Sequence, residues 1–218
     1  SLDVNESELD LGIQPVPDLS VPFAPPSARI FVSDSLENGA GYSTFLGDPA
    51  RFEELLRFII GQASPSWTRR CPPDSFHRPL VTAPHIQDCV SSCHRCLREF
   101  GNMAFHPLLD WRLGLDMVRL ALDQNAQIDL TVGYWSGLVS TIAGPYFTGL
   151  NLLPRIFDTL PGGVDSFTNE AIILIHPLWD KDAANYRQDV AAAVADARGQ
   201  GFRPTLRSVF YAVRFPYE

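Results

Sequence analysis

The sequence predicts an α+β fold, a small mixed sheet with packed helices and a four-cysteine knot. Residues 29–34 and 171–175 are short apolar runs typical of strands, whereas residues 49–60 and 108–123 carry apolar residues at helical spacing. All four cysteines lie within residues 71–96. A chain of 218 residues is long enough to bury a core of its own.

The amino-terminal part is expected to be a linker. Residues 1–15 are acidic and show little periodicity, and residues 16–27 are rich in proline, which favours an extended path. We therefore expect an extended linker over residues 1–28 and a single α+β domain over residues 29–218, with the knot at residues 71–96 inside it. No signal-peptide pattern follows Ser1, so a cytoplasmic location is expected.

The first predicted helix has clear local signals. Asp48 is a typical N-cap and Pro49 suits the first helical position, while Gly61 is expected to end the helix. Residues 62–88 contain several prolines and are expected to be loop-like. On the helix over residues 108–123, four charged residues form one narrow polar stripe, which predicts a helix that is buried on most sides; they are Arg112, Asp116, Arg119 and Asp123.

The carboxyl-terminal half is expected to alternate helix and strand. Residues 130–154 carry no formal charge, but their glycines and Pro145 favour a buried, broken helical segment over a membrane span. The continuous apolar run at residues 171–175 predicts a central strand. Residues 182–198 are predicted to be helical, and residues 206–215 are predicted to form a final strand.

The cysteines carry the most specific signal in the chain. Disulfides suit short secreted chains, and inert buried thiols are a second interpretation. The x3 and x2 spacing favours a third, a tetrahedral zinc site built from two short arms; its predicted ligands are Cys71, Cys89, Cys93 and Cys96. Four thiolates leave no open position, so we expect one structural Zn²⁺ ion, whose removal melts at least residues 62–106. His85 and His94 lie nearby and could replace one thiol.

Charge restricts the classes of function. The net charge of −8 lacks the cationic surplus of a free-standing nucleic-acid binder, so any contact with DNA must come from a local patch. An aromatic-basic group around the cysteines is the candidate contact for single-stranded DNA, with an ordinary solvated surface as the alternative; it comprises Trp67, Arg69, Arg70, Arg95 and Arg98.

No complete reaction centre is visible in the sequence. A phosphate-binding Gly-x4-Gly-Lys-Ser/Thr loop is absent, so the chain carries no ATPase motor of its own. Asp34, Asp158 and His176 are expected at strand ends, where carboxylates can hold Mg²⁺ for phosphodiester cleavage. A divergent metal-dependent nuclease is therefore an alternative, although turn and cap roles are commoner for such residues.

The knot and the residues after it resemble a known family. The run Cys89-x3-Cys93-x2-Cys96-Leu-Arg, followed by Phe-Gly-Asn, His106 and Leu-Leu-Asp-x-Arg112, is similar to the MrfA-like zinc-binding domain. Asp-Ser-Leu-x-x-Gly-Ala-Gly-Tyr at residues 34–42 adds to the resemblance, which spans roughly residues 29–123. Trp111 departs from the pattern, because relatives often place arginine directly after the helix-start aspartate.

The resemblance implies a context as well as a fold. Such domains lie at the carboxyl termini of superfamily-2 DEAD/DEAH-box DNA helicases and in DISARM-type phage-defence proteins. It implies a non-catalytic, zinc-stabilised module that braces a helicase core in the same or a partner chain. The module would guide single-stranded DNA or dock a partner during DNA repair or phage defence. A pure protein–protein scaffold is the other alternative.

Overall fold

The computed structural model describes residues 9–16, 27–35, 41–62, 74–131 and 133–216. The chain divides into two compact units, Ser1–Ser75 and Phe76–Glu218. The division into a linker over residues 1–28 and one domain over residues 29–218 stays a prediction. Within the predicted linker, the structure places a strand.

The described part of the first unit combines a two-stranded antiparallel sheet with two helices; they are β1 (Leu9–Val16), β2 (Ser27–Asp34), α1 (Tyr42–Leu46) and α2 (Pro49–Ile59). Helix α2 begins where the sequence predicts it. The Asp48 carboxylate accepts hydrogen bonds from the backbone N–H groups of Ala50 (2.9 Å) and Arg51 (3.0 Å). Gly61 follows the helix with a φ of 74°, a conformation that glycine adopts at little cost.

The second unit contains the rest of the described elements. Its helices are α3 (Asp74–Val81, which begins just before the boundary), α4 (His85–Asp88), α5 (Trp111–Leu122), α6 (Gly133–Gly149), α7 (Gln188–Gly199) and α8 (Val209–Arg214). Two 3-10 stretches cover Phe100–Leu108 and Ala183–Asn185. Its strands are β3 (Leu153–Phe157), β4 (Leu160–Asp165), β5 (Glu170–Ile175) and β6 (Arg203–Ser208).

These four strands form one mixed sheet in the order β3-β4-β5-β6. The first three strands are antiparallel neighbours, and β5 pairs with β6 in parallel. Helices α6 and α7 contact the sheet. Strand β5 lies between two neighbours, and Ile173, Leu174 and Ile175 are fully buried, as expected for a central strand. The predicted α+β class, a small mixed sheet with packed helices, is confirmed.

Three local predictions differ from the structure. The stretch over residues 62–88, expected to be loop, contains α3 and α4. The helix predicted over residues 182–198 begins only at Gln188, after a short 3-10 turn. The final strand was wrong over most of its length: β6 ends at Ser208, whose hydroxyl accepts from the Tyr211 N–H and starts α8.

Helix α5 is less buried than predicted, since its buried residues are Trp111, Arg112, Leu115 and Asp116, and its polar stripe does not face water throughout. Arg112 and Asp116 are each 1% exposed, whereas Met117 is half exposed. The Asp116 carboxylate accepts hydrogen bonds from the Tyr134 hydroxyl, from Trp135 Nε1 (2.6 Å) and from His176 Nε2 (2.9 Å). One buried carboxylate therefore joins α5 to α6 and to the end of β5.

Replacing that carboxylate should destabilise the second unit strongly. Burial acts to raise the pKa of Asp116, but the hydrogen bonds from His176, Tyr134 and Trp135 outweigh it and hold the pKa below its usual value. We expect Asp116→Asn to cost about 3–5 kcal/mol in urea unfolding, because an amide group turns a donor towards other donors. Asp123→Asn, an exposed change at the C-cap of the same helix, should cost less than about 0.5 kcal/mol.

The same carboxylate sets a pH dependence. Since the folded pKa is lowered, the stabilisation is fully present above the unfolded pKa of about 3.9 and is lost as the pH falls through the folded pKa. Equal costs for the two variants at neutral pH would contradict the role given to Asp116.

Helix α6 accounts for the long uncharged stretch. It carries no charged residue, contains Pro145 and buries Trp135, Leu138 and Phe147 against the rest of the unit. Among the described residues, no helix has both the length and the apolarity required to cross a bilayer.

Candidate metal centre

Three of the four cysteines meet beside a histidine. One ring nitrogen of His85 and the Sγ atoms of Cys89, Cys93 and Cys96 all lie within 4.8 Å of one another. Among the described residues, this is the one group of three or more histidine, cysteine or acidic side chains placed to hold a metal ion. We call it the Cys3His cluster.

Two short backbone features position the cluster. Helix α4 carries His85 in its first turn and ends at Cys89, one turn further along, so both side chains point the same way. Next, the chain turns back on itself, because the Cys93 carbonyl accepts from the N–H groups of Cys96 (3.0 Å) and Leu97 (3.1 Å). This turn brings Cys96 back beside Cys93.

The histidine is prepared to act as a ligand. His85 is 5% exposed, and its Nδ1 lies 2.9 Å from the Leu80 carbonyl, to which it donates. That bond fixes the proton on Nδ1 and leaves a lone pair on Nε2. Nε2 is buried and has no hydrogen-bond partner among the described residues. A buried acceptor without a partner is costly, and a metal ion would satisfy it.

The distances between sulfur atoms match tetrahedral metal coordination. Cys96 Sγ lies 3.9 Å from Cys89 Sγ and 3.8 Å from Cys93 Sγ. A tetrahedron with zinc–sulfur bonds of about 2.3 Å has sulfur–sulfur edges of about 3.8 Å. Disulfide-bonded sulfurs lie only about 2.05 Å apart, and these three cysteines are free thiols. The residues present therefore fit a metal such as zinc.

Backbone amides support thiolates at this site. The Cys93 N–H points to Cys96 Sγ (3.1 Å), and the Arg95 N–H points to Cys93 Sγ (3.4 Å). Burial acts to raise the pKa of Cys93, but the amide of Arg95 and the neighbouring thiols outweigh it and lower the pKa. Burial is the largest cause that raises the pKa of Cys89 and of Cys96. A bound cation would reverse that effect.

A buried arginine fastens this loop to the core. Arg112 donates to four backbone carbonyls, those of Ile86 (3.1 Å), Cys89 (3.1 Å), Val90 (2.8 Å) and Tyr134 (2.8 Å). Three of these carbonyls belong to the loop that carries the cluster. The guanidinium carbon also lies 4.3 Å from the Trp111 ring centre. A metal with three thiolates and one imidazole carries a net charge of −1, which this cation offsets.

The start of α5 is held in the same region. Asp110 caps the helix by accepting from the N–H groups of Arg112 (3.0 Å) and Leu113 (3.2 Å). Its carboxylate also pairs with Arg214 of α8 at 3.7 Å. An arginine remote in sequence therefore lies beside Asp110, while Trp111 donates through its ring to the Cys89 carbonyl (3.3 Å).

The predicted ligand set is brought together in part. Cys89, Cys93 and Cys96 meet, whereas Cys71 lies outside the described residues. His85 takes part in the cluster; His94 is exposed and stacks edge-on near His106 instead. The sequence feature that could have identified His85 as a ligand is its i, i+4 spacing to Cys89 on a short helix. Because residues 62–88 were predicted to be loop, this helical spacing was not recognised.

The predicted nucleic-acid residues divide in the same way. Trp67, Arg69 and Arg70 lie outside the described residues. Arg95 is exposed, and Arg98 donates to the Ser92 hydroxyl at 2.9 Å.

The residues of the nuclease alternative have structural partners. The Asp34 carboxylate accepts from the N–H groups of Gly41 (3.0 Å) and Ser43 (2.9 Å) and so caps α1. Asp158 occupies the turn after β3 with a φ of 52°. His176 is fully buried against Asp116.

Comparison of the chain with protein-family models, with curated proteins and with solved structures returns no match. The structural case for the site therefore comes from its own geometry.

Proposed function

We propose that this chain is a zinc-stabilised, non-catalytic accessory module of a helicase-type DNA-processing or phage-defence protein. The observation that carries the proposal is the Cys3His cluster, four soft or imidazole donors within 4.8 Å of one another. A closed set of four ligands leaves no position for a substrate or an activated water, as in structural zinc sites. The metal then stabilises the fold and does no chemistry.

The helicase context is supported by the resemblance between residues 89–112 and the MrfA-like zinc-binding domain. In this proposal the module braces a helicase core, in the same or a partner chain, within the cytoplasm. Reading the gene upstream of Ser1 tests it directly. Superfamily-2 motifs there, or a helicase encoded beside the gene, are expected; neither being present in the genome neighbourhood would contradict the context.

The ligand set can be tested residue by residue. We expect His85→Ala to lower zinc affinity at least about hundredfold, since a ligand outweighs an outer-shell partner worth about 10–100-fold. Cobalt-substituted protein should show a tetrahedral spectrum that His85→Ala alters and that His94→Ala, the matched control, leaves unchanged. We expect Cys71→Ser to retain one metal per chain. Loss of metal in Cys71→Ser with retention in His85→Ala would assign the four-thiolate set instead.

Contact with single-stranded DNA is supported by the surface next to the cluster. Arg95 is exposed, and the Phe100 side chain is 90% exposed five residues later. An exposed ring and an exposed cation that lie five residues apart in the sequence suit base stacking combined with a phosphate contact. Such a surface can guide a strand even on an acidic chain.

This contact predicts a defined salt dependence. Arg95→Ala should weaken binding of a labelled oligonucleotide and reduce the slope of log K against log salt by about 0.7, the value for one single-strand phosphate contact. Arg198→Ala removes an exposed arginine elsewhere in the same unit and should leave the slope unchanged. Equal effects of the two variants in fluorescence anisotropy would indicate nonspecific charge attraction.

Docking of a protein partner is supported by the 3-10 segment over Phe100–Leu108. Its polar side chains face inward: His106 and Asn102 hydrogen-bond each other (2.8 Å), and Asn102 donates to the Leu97 carbonyl (2.8 Å). Its large apolar side chains face outward; Phe100, Met103, Phe105 and Leu108 are all exposed. Such an inverted pattern is typical of an interaction surface.

A further inference from the structure

A second candidate site lies in the Phe76–Glu218 unit and is lined by residues that are distant in sequence from the metal cluster. A cavity of about 410 Å³ opens between α6 and the β3–β4 hairpin. Its walls are mainly apolar and include Leu130, Val139, Phe147 and Ile156. This volume falls in the range of pockets that take small organic ligands, about 300–1,000 Å³.

The polar groups that line the cavity differ in whether they already have a hydrogen-bond or ion-pair partner in the protein. The hydroxyls of Ser136 and Ser140 already donate to the carbonyls of Gly133 (3.0 Å) and Gly137 (2.9 Å). Arg155 is the one charged residue among the described lining residues. Its side chain is exposed and forms no hydrogen bond or ion pair with any other described residue. The cavity thus offers an apolar body and one cation without an anionic partner.

We propose that this cavity binds a small molecule with an apolar body and a single anionic group, which pairs with Arg155. Transfer of an apolar chain from water to these apolar walls lowers its free energy. A carboxylate or sulfonate can form two parallel hydrogen bonds with the planar guanidinium. An extended peptide added to the edge strand β3 is less favoured. Pro154 lies in the middle of that strand and has no N–H to donate.

The test uses three probes that share one tail. Isothermal titration of the full chain with dodecanoate, dodecanol and dodecyltrimethylammonium, each below its micelle concentration, separates the tail from the charge. Dodecanoate should bind at one site and at least about tenfold more tightly than the other two, as expected for a charge-assisted contact. Equal binding of the three probes, or no saturable binding of dodecanoate, would overturn the proposal.

Two variants locate the binding. Arg155→Gln should lower dodecanoate affinity about tenfold and leave dodecanol unchanged. Gly144→Leu should abolish binding of all three, because Gly144 lines the cavity and a Cβ built there meets no atom within 4 Å. Leucine also favours the helix more than glycine does.

Independent controls keep this test separate from the zinc proposal. Thermal unfolding and the zinc content of each variant are measured alongside, and Ala143→Phe gives a second way to fill the cavity if Gly144→Leu does not fold. Undiminished dodecanoate binding in a folded, cavity-filled variant would place the ligand elsewhere and refute the site. The outcome does not depend on which metal the cluster holds.

Discussion

Removal of the metal proposed at the Cys3His cluster should unfold the segment from Leu80 to Leu109 and lower the stability of the second unit. Apparent zinc affinities in small sites are about 10–16 kcal/mol, comparable to the stability of a whole domain at about 5–15 kcal/mol. Apart from the hydrogen bonds from Arg112 and Trp111, the cluster segment makes few contacts with the core. It contains a four-residue helix, one turn and a 3-10 stretch, and few of its side chains are buried.

Hydrogen exchange before and after chelation measures this directly. Amides from residues 80–109 should lose protection first, while β4 and β5, whose core side chains are fully buried, should retain more of it. Cys96→Ser should reproduce the effect of chelation, and His94→Ala should not. Unchanged protection in a protein shown to be free of metal would contradict a structural role for the ion.

Local signals in the sequence located some elements well. Asp48 and Pro49 predicted the start of α2, and the cap depends only on neighbours two and three residues away. The apolar run of β5 likewise identified a central strand, because burial on both faces leaves a continuous apolar pattern. Where the structural cause lies close by in the sequence, the prediction and the structure agree.

Distant partners explain where prediction failed. The pattern of α5 suggested one polar stripe, yet Arg112 and Asp116 are satisfied by groups that lie between 18 and 60 residues away. No local rule distinguishes such buried charges from solvated ones. The final strand failed for a related reason, since alternation over residues 206–215 does not reveal that Ser208 caps a helix.

The candidate site shows the same division. The spacing of Cys89, Cys93 and Cys96 was sufficient to predict that they meet, because one tight turn brings them together. To predict His85 as a ligand, one would have to know that a helix forms in a proline-containing stretch. One would also have to know that the Leu80 carbonyl fixes the tautomer of the imidazole ring.

The second large effect on stability is expected from substitution of Arg112, which joins the cluster to the core through hydrogen bonds. In Arg112→Met the side chain keeps its apolar stem, but the four carbonyls it serves lose their donor in a buried environment. Breaking a buried charged network of this kind costs about 3–5 kcal/mol. We therefore expect a large fall in the urea midpoint, with Arg112→Lys intermediate, since a lysine can serve only some of the four acceptors.

Arg119→Met is the matched control, because Arg119 lies on the same helix with its side chain 38% exposed. It should cost less than about 1 kcal/mol. If Arg112 also offsets the anionic cluster, Arg112→Met should weaken cobalt binding in addition to stability, whereas Asp116→Asn should lower stability with less change in metal affinity. Equal costs for Arg112→Met and Arg119→Met would show that the buried guanidinium does not hold the loop. If Arg112→Met bound cobalt with unchanged affinity, Arg112 would stabilise the fold without acting on the metal. Only a group coupled to the cluster changes both the stability and the cobalt affinity.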